Sequence, residues 1–223
     1  MDVQDIFGLP VARYKMETLD CATMTDYLDK QTLLGKASVE GEYTEDQQIL
    51  EHDIFKEVKQ EVLHATKTFA QDAVGHIIDD VAVASSWANI SEDNRQVRPH
   101  LHYNSYISGV FYLSYGSNIN MFNPFKRTQM YMFNPMIAFN VENKFTWQSV
   151  ALTPEPNMLL LFPSGLSHSV DASPTRRYSI AYNTIPTGIV GTHSSIVNVD
   201  NLDNSGVYPD NRSIDRSTCW TGT

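Results

Sequence analysis

The sequence predicts an α+β fold that is mainly β, with N-terminal helices packed on one face of an antiparallel sheet. Of the 223 residues, the first 80 place apolar residues at helical spacing. From about Val81 the chain changes to short β-rich runs separated by Asn, Pro, Gly and Ser, which is typical of a sandwich or barrel. After about Thr187 it becomes polar. We therefore expect an acidic, helical part (1–80) and a β-rich core (81–187) in one domain, followed by a polar arm or tail (188–223).

Two helices are expected in the first part. Residues 19–34 carry Leu and Met at mixed helical spacings, and Gly35 follows as a C-cap. Residues 36–50 are polar and acidic, which predicts a loop. From Asp53 onward, apolar residues recur every three or four positions, as on the buried face of an amphipathic helix: Ile54, Val58, Val62, Ala65 and Phe69.

The second part contains nine candidate strands, chosen for their β-branched and aromatic residues and their flanking turn residues. They are residues 82–90, 106–115, 118–122, 129–133, 136–141, 145–151, 157–162, 166–170 and 177–184.

The charge of the chain is unevenly distributed. The net charge is −10, and residues 1–80 account for all of it, with 17 acidic and 7 basic residues against 9 of each in the remainder. This charge argues against a protein that binds nucleic acids or anionic membranes in general, because such proteins need a cationic surface. Cys21 and Cys219 form no disulfide framework, and no stretch resembles a signal peptide or a membrane span, so we expect a cytoplasmic protein.

Three histidines form the first candidate site. His100 and His102 are separated by one residue, and in an extended strand such residues point to the same face. His168 comes 66 residues later, after an apolar run and a Pro-Ser-Gly turn. A close pair plus a distant third histidine is how a β-sandwich can build a three-ligand metal site that leaves positions open for substrate and oxygen.

Arg177 is the second candidate. It lies in the run RRYSIAYN, where strand alternation places Arg177, Ser179 and Ala181 on one face. A guanidinium that faces the interior needs an anion, and its fork suits a carboxylate, with Ser179 as a further donor. Alternatively, Arg177 is a surface residue or pairs with a carboxylate of the protein.

These motifs together resemble the Fe(II)/2-oxoglutarate-dependent dioxygenases, in particular the group labelled "putative 2OG-Fe(II) oxygenase". The matching segments are Ser86-Trp87-Ala88-Asn89, His100 to Ser105, Ser108 to Leu113, Leu161 to His168, and Arg177 to Asn183. The resemblance covers roughly residues 83–184. It implies a double-stranded β-helix, or jelly roll, for the core 81–187.

The resemblance also implies an activity, in which Fe(II) with 2-oxoglutarate and O2 hydroxylates a C–H bond of an unknown substrate and releases succinate and CO2. In that case His100 and His168 are iron ligands and Arg177 holds the far carboxylate of 2-oxoglutarate. Ser179 and Tyr112 match positions near the same carboxylate, and Asn89 would line the pocket.

One position departs from the pattern. The superfamily has an aspartate where this chain has His102. We favour a three-histidine iron site; the alternative is that His102 is not a ligand and that water or the co-substrate fills its place. Two rival functions remain open: a cupin-like three-histidine oxygenase that does not use 2-oxoglutarate, and a non-catalytic jelly-roll module for binding or assembly.

Overall fold

The computed structural model describes residues 8–17, 19–35, 41–92, 95–125, 147–190 and 197–201. Within these ranges, twelve strands form two antiparallel sheets, and two α-helices cover one of them. In the same ranges, no helix is long and apolar enough to cross a membrane.

The larger sheet has eight strands in the order β1-β9-β6-β11-β4-β3-β2, with β12 paired to the far end of β11. Their bounds are β1 Ala12–Lys15, β2 Leu33–Leu34, β3 Glu42–Thr44, β4 Ile78–Ser91, β6 Ile107–Tyr112, β9 Met158–Pro163, β11 Arg177–Val190 and β12 Val197–Asn198. The smaller sheet has four strands in the order β5-β10-β7-β8. Their bounds are β5 Arg95–His100, β7 Ile119–Phe122, β8 Ser149–Leu152 and β10 His168–Ser173.

Helices α1 (Cys21–Leu28) and α2 (Lys56–Thr68) lie in the first part of the chain. Asp20 caps α1 by accepting a hydrogen bond from the backbone N–H of Thr23 at 3.1 Å. The predicted stripe on α2 is confirmed, since Val58, Val62 and Ala65 are buried. A π-helical turn (Phe69–Ala73) continues α2, and short 3₁₀ turns occur at Ile49–Glu51, Asp53–Phe55 and Val199–Asn201.

The helices pack on the outer face of the larger sheet, as predicted for the fold class. Thr66 on α2 and Tyr182 on β11 are both fully buried, and their hydroxyl oxygens lie 2.9 Å apart. Gly109 on β6 makes room for this contact, because a Cβ atom there would lie 2.4 Å from the Tyr182 ring. A second apolar cluster fills the space between the two sheets and contains Tyr112, Ile119, Met121, Met158, Leu160, Phe162 and Leu166.

The structure corrects the prediction that residues 1–80 are helical and that residues 19–34 form one helix. The α1 helix ends at Leu28, and β1, β2 and β3 belong to the larger sheet. Gly35 has φ +79° in the connection from β2 towards β3, so it is a turn residue rather than a helix cap. The predicted loop 36–50 likewise contains β3 and the first 3₁₀ turn.

The strands that the prediction missed are mostly edge strands. β1, β2 and β5 lie at sheet edges, where polar and charged residues are common and periodicity is a weak signal.

Two predicted strands, 129–133 and 136–141, lie outside the described residues. β11 runs to Val190 and so passes residue 187, the expected end of the β-rich core. The polar arm therefore does not begin at residue 188. The division into three parts otherwise stays a prediction.

Candidate metal centre

The three histidines meet at one end of the space between the sheets. His100 is the last residue of β5, His168 is the first residue of β10, and the two are directly paired across the ladder. One ring nitrogen of each histidine, His102 included, lies within 4.8 Å of one from each of the others. The structure therefore brings together the three histidines that the sequence analysis singled out.

His102 reaches this cluster from a loop, so the expectation that it shares a strand with His100 is wrong. β5 ends at His100, and the loop that follows turns at Asn104, whose φ is +56°. The backbone N–H of His102 donates to the Ser164 carbonyl oxygen at 2.9 Å, which fixes the loop against the end of β9. The indole of Trp87 stacks on the His102 ring at a centroid distance of 5.8 Å.

Each imidazole has its Nδ1 atom against a carbonyl oxygen. The acceptors of His100, His102 and His168 are the Arg98 carbonyl at 2.8 Å, Asn183 Oδ1 at 2.7 Å and the Leu166 carbonyl at 2.9 Å. Because a carbonyl oxygen can only accept, Nδ1 donates in each ring, which leaves Nε2 as the nitrogen that could bind a metal ion. Histidines that bind metal ions show this arrangement, in which the second nitrogen donates to an oxygen atom.

Burial keeps two of the rings neutral. His168 is 3% exposed and lies against Phe162, with ring centroids 4.7 Å apart. Its burial lowers its pKa to about 4, an effect that the bond to the Leu166 carbonyl opposes and that His100 and His102 reinforce. Burial also lowers the pKa of His102, partly offset by the bond to Asn183. At neutral pH both lone pairs are therefore available to a metal ion.

The neutral His168 predicts a pH-dependent stability of the metal-free protein. In the unfolded chain a histidine binds a proton below about pH 6.5, whereas folded His168 resists protonation down to about pH 4. The unfolded state therefore gains protons first, and stability falls as the pH decreases through this window. Between pH 7 and pH 5 we expect the free energy of unfolding to fall by about 2 kcal/mol more than in a His168→Gln variant. Urea unfolding in the presence of a chelator measures this difference; equal losses in the two proteins would contradict the prediction.

Arg177, the first residue of β11, is buried and forms no ion pair with the part of the chain that the structure describes. It is 2% exposed, and among the described residues its Nε and Nη1 atoms have no hydrogen-bond partner. Burial lowers the pKa of this guanidinium, and the neighbouring Tyr112 acts in the opposite direction. A buried charge without a partner destabilises a protein by several kcal/mol, so an anion in the cavity beside Arg177 would be stabilising.

Tyr112 and Ser179 stand next to this arginine. They are direct partners on β6 and β11, and both are buried. Burial raises the pKa of the Tyr112 phenol, so it remains a neutral hydroxyl that can donate a hydrogen bond. Asn89, on the adjacent strand β4, is paired with Ser179 across the ladder and accepts a hydrogen bond from the Trp87 indole at 3.2 Å.

A single cavity between the sheets connects the histidines to Arg177. The sequence-predicted site residues His100, His102, His168, Arg177, Ser179, Tyr112 and Asn89 all line it. Its other walls come from Trp87, Val97, Val110, Ile119, Val170 and Ala181. A larger cavity of about 680 Å³ lies between the edges of the sheets beside β1 and β8, and none of the predicted site residues lines it.

Sequence reasoning missed two residues that shape the site. Asn183 supplies the acceptor for His102, and its role follows only from the fold, because the two are 81 residues apart. Gly116 lies against the stem of Arg177, where a Cβ atom would be 2.3 Å from the arginine Cδ. Asn183 ends the matching segment Arg177 to Asn183, but the resemblance assigned it no role, and Gly116 gives no signal in the sequence that distinguishes it from an ordinary glycine in a turn.

Comparison with known proteins agrees with this geometry. Residues 85–183 match the model of the protein family described as "Putative 2OG-Fe(II) oxygenase", and this range contains every predicted site residue. No curated protein matches the chain.

Several solved structures share the fold at low sequence identity. SnoN, a non-heme alpha ketoglutarate dependent epimerase from nogalamycin biosynthesis, has a TM-score of 0.57 and 12% identity over 90% of this chain and 88% of its own. HygX from Streptomyces hygroscopicus, solved with nickel, 2-oxoglutarate and hygromycin B, has a TM-score of 0.56 and 9% identity over 83% and 86%. A prolyl-4-hydroxylase from Pseudomonas putida has a TM-score of 0.52 and 14% identity over 78% and 92%.

At such identities the likeness concerns the fold, and it agrees with the jelly-roll core that the sequence predicts. The family match adds the chemistry, since the family uses Fe(II) and 2-oxoglutarate. Residues 85–183 of this chain therefore match a domain of the 2-oxoglutarate- and Fe(II)-dependent oxygenase family, and the fold agrees with that match.

Proposed function

We propose that His100, His102 and His168 bind Fe(II) through their Nε2 atoms and that 2-oxoglutarate fills the cavity between them and Arg177. The observation that carries this proposal is the buried guanidinium, whose Nε and Nη1 atoms lack partners among the described residues, in the same cavity as three imidazoles whose Nδ1 atoms are already hydrogen-bonded. A molecule with a chelating group at one end and a carboxylate at the other satisfies both ends of this cavity.

When bound, Fe(II) with 2-oxoglutarate and O2 supplies the oxidation: one oxygen atom enters succinate as CO2 leaves, and the other enters a C–H bond of the substrate. Arg177 orients 2-oxoglutarate by pairing with its far carboxylate, and the neutral hydroxyls of Tyr112 and Ser179 donate to the same group. The apolar walls formed by Val110 and Ile119 exclude water from the cavity and strengthen these contacts.

The histidine at the usual aspartate position changes the charge of the site. Three neutral imidazoles leave the full charge of the metal ion uncompensated, and Arg177 adds a further positive charge in the same cavity. We therefore expect tight binding of the doubly negative 2-oxoglutarate and a redox potential of the iron that is shifted relative to a site with a carboxylate ligand.

Two alternatives are distinguished by the same observation. A cupin-like oxygenase that needs no 2-oxoglutarate gives no reason for a buried guanidinium whose Nε and Nη1 atoms have no partner among the described residues. A non-catalytic jelly-roll module gives no reason for three histidines whose ring nitrogens lie within 4.8 Å of one another. The absence of a general nucleic-acid partner and the cytoplasmic location stay predictions.

The test is anaerobic reconstitution with Fe(II), followed by measurement of O2 consumption and succinate formation with and without 2-oxoglutarate. We expect one iron per chain and slow succinate formation that requires both iron and 2-oxoglutarate. Oxygen consumption that is independent of 2-oxoglutarate would support the cupin-like alternative, and failure to take up iron would support the non-catalytic module.

The contact between Gly116 and Arg177 gives a further prediction. In Gly116→Ala the new methyl group must displace the arginine stem, which moves the guanidinium away from the carboxylate of 2-oxoglutarate. We expect the KM for 2-oxoglutarate to rise about tenfold while the affinity for Fe(II) stays unchanged. Gly165→Ala is the matched control, because a Cβ atom at Gly165 meets nothing within 4 Å. An unchanged KM in Gly116→Ala would show that the new methyl group does not move the Arg177 guanidinium away from 2-oxoglutarate.

A further inference from the structure

A chain of hydrogen bonds runs behind His102, away from the cavity. Asn183 Oδ1 lies 2.7 Å from His102 Nδ1 and 2.8 Å from Ser108 Oγ. Ser108 Oγ is 2.8 Å from Ser164 Oγ, which in turn is 2.7 Å from Ser105 Oγ. We call Ser105, Ser164 and Ser108 the serine chain. Ser108 and Ser164 are each 1% exposed, so these groups depend on one another for hydrogen bonds.

The direction of the hydrogen bonds that lead from Ser164 to Asn183 follows from counting donors and acceptors. The single O–H of Ser108 donates to Asn183 Oδ1, because that amide oxygen can only accept. Ser164 must then donate to Ser108. Ser105 Oγ lies 2.7 Å from Ser164 Oγ and can donate either to it or to the Thr184 carbonyl oxygen at 3.4 Å. At the other end of the Asn183 amide, Nδ2 donates to Ser85 Oγ at 3.3 Å. The amide therefore presents its oxygen, and not its NH2 group, to His102.

We propose that Asn183 is a positioning residue that, together with the serine chain, holds His102 as the Nδ1–H tautomer and so enables a loop histidine to serve as the third metal ligand. This inference rests on the proposed metal site. With the amide reversed, its NH2 group would donate to Nδ1, the proton of the ring would move to Nε2, and no lone pair would face the metal ion.

The position of His102 explains why such support is needed. His100 and His168 are ladder partners in the smaller sheet, so their backbones are fixed by β5 and β10. His102 lies beyond the end of β5 and has only the backbone bond to Ser164 and the stack on Trp87 besides its bond to Asn183. The Asn183 amide is therefore the only described group that selects its tautomer.

The experiment is an anaerobic titration with Co(II), a visible-absorbing substitute for Fe(II), which measures metal affinity independently of turnover. In Asn183→Leu we expect the Kd for Co(II) to rise about 10- to 100-fold, the usual effect of removing the hydrogen-bond partner of a metal-bound histidine. Asn183→Asp keeps an acceptor for both His102 and Ser108, so its affinity should remain within a few-fold of wild type. Asn120→Leu is the control, because Asn120 is a half-buried asparagine that bonds to Asp171 on the smaller sheet.

A second variant and a second measurement keep the proposal testable if Asn183→Leu does not fold. Ser108→Ala removes one donor to Asn183 and should weaken Co(II) binding about fivefold. Nitrogen-15 NMR of the imidazoles in the metal-free protein should show the Nδ1–H tautomer of His102 in wild type and a mixture in the variants. Wild-type affinity and an unchanged tautomer in the folded variants would overturn the proposal. If wild-type protein itself does not bind Co(II), the proposed metal site fails instead.

Discussion

Replacing His168 with alanine is expected to abolish metal binding and, with it, the formation of succinate from 2-oxoglutarate. His168 is the most buried of the three ligands and the one fixed between two neighbouring strands, β5 and β7. Losing even the hydrogen-bond partner of a ligand costs about 10- to 100-fold in metal affinity, so losing the ligand itself should cost more than 100-fold. Anaerobic titration with Fe(II) or Co(II) measures the loss, and a succinate assay measures the consequence.

The control for this variant is His64→Ala. His64 is an exposed histidine on α2, far in sequence from the candidate ligands. It should bind metal and form succinate as wild type does. If folded His168→Ala still binds metal tightly, His168 is not a ligand and the proposed metal centre is wrong.

Replacing Arg177 with methionine should raise the KM for 2-oxoglutarate about 100- to 1,000-fold. Methionine keeps much of the length of the side chain but removes the charge and the donors that would pair with the far carboxylate. Truncating one partner of a buried, hydrogen-bonded charge pair costs about 2–5 kcal/mol, and the expected rise lies in the middle of that interval. The affinity for Fe(II) should not change, because Arg177 lies at the other end of the cavity from the histidines.

Arg177→Met should weaken the binding of 2-oxoglutarate without destabilising the fold. In the ligand-free protein the guanidinium is buried and its Nε and Nη1 lack partners among the described residues, so its removal should leave the free energy of unfolding unchanged or increase it. Arg176→Met is the matched control: Arg176 pairs at the surface with Asp29 at 2.7 Å and Glu92 at 3.0 Å. We expect that variant to be slightly less stable and to keep its KM. A clear loss of stability in Arg177→Met with an unchanged KM would mean that Arg177 has a structural role only.

The parts of the site that lie on regular strands were predictable from the sequence. Strand alternation placed Arg177 and Ser179 on one face, and the structure directs both into the same cavity. The apolar run before His168 predicted β9, which is buried along almost its whole length. The stripe of Val58, Val62 and Ala65 predicted α2 in the same way, because burial on one face imposes a period on the sequence.

The parts that depend on long-range contacts were not predictable. β1 (Ala12–Lys15) is a strand because it adds to the edge of the sheet beside β9, and its own sequence is polar. His102 reaches the centre through a loop that Ser164 fixes, and spacing alone suggested a strand instead. Asn183 and Gly116 act on His102 and Arg177 across the fold, so their roles become visible only when the strands are in register.

The most direct test of the central claim is a crystal structure of the protein loaded without oxygen with Fe(II) and 2-oxoglutarate. We expect one metal ion bound by Nε2 of His100, His102 and His168, with 2-oxoglutarate chelating it and its far carboxylate on the Arg177 guanidinium. A metal ion bound elsewhere, or a 2-oxoglutarate carboxylate that leaves Arg177 without a partner, would contradict the account.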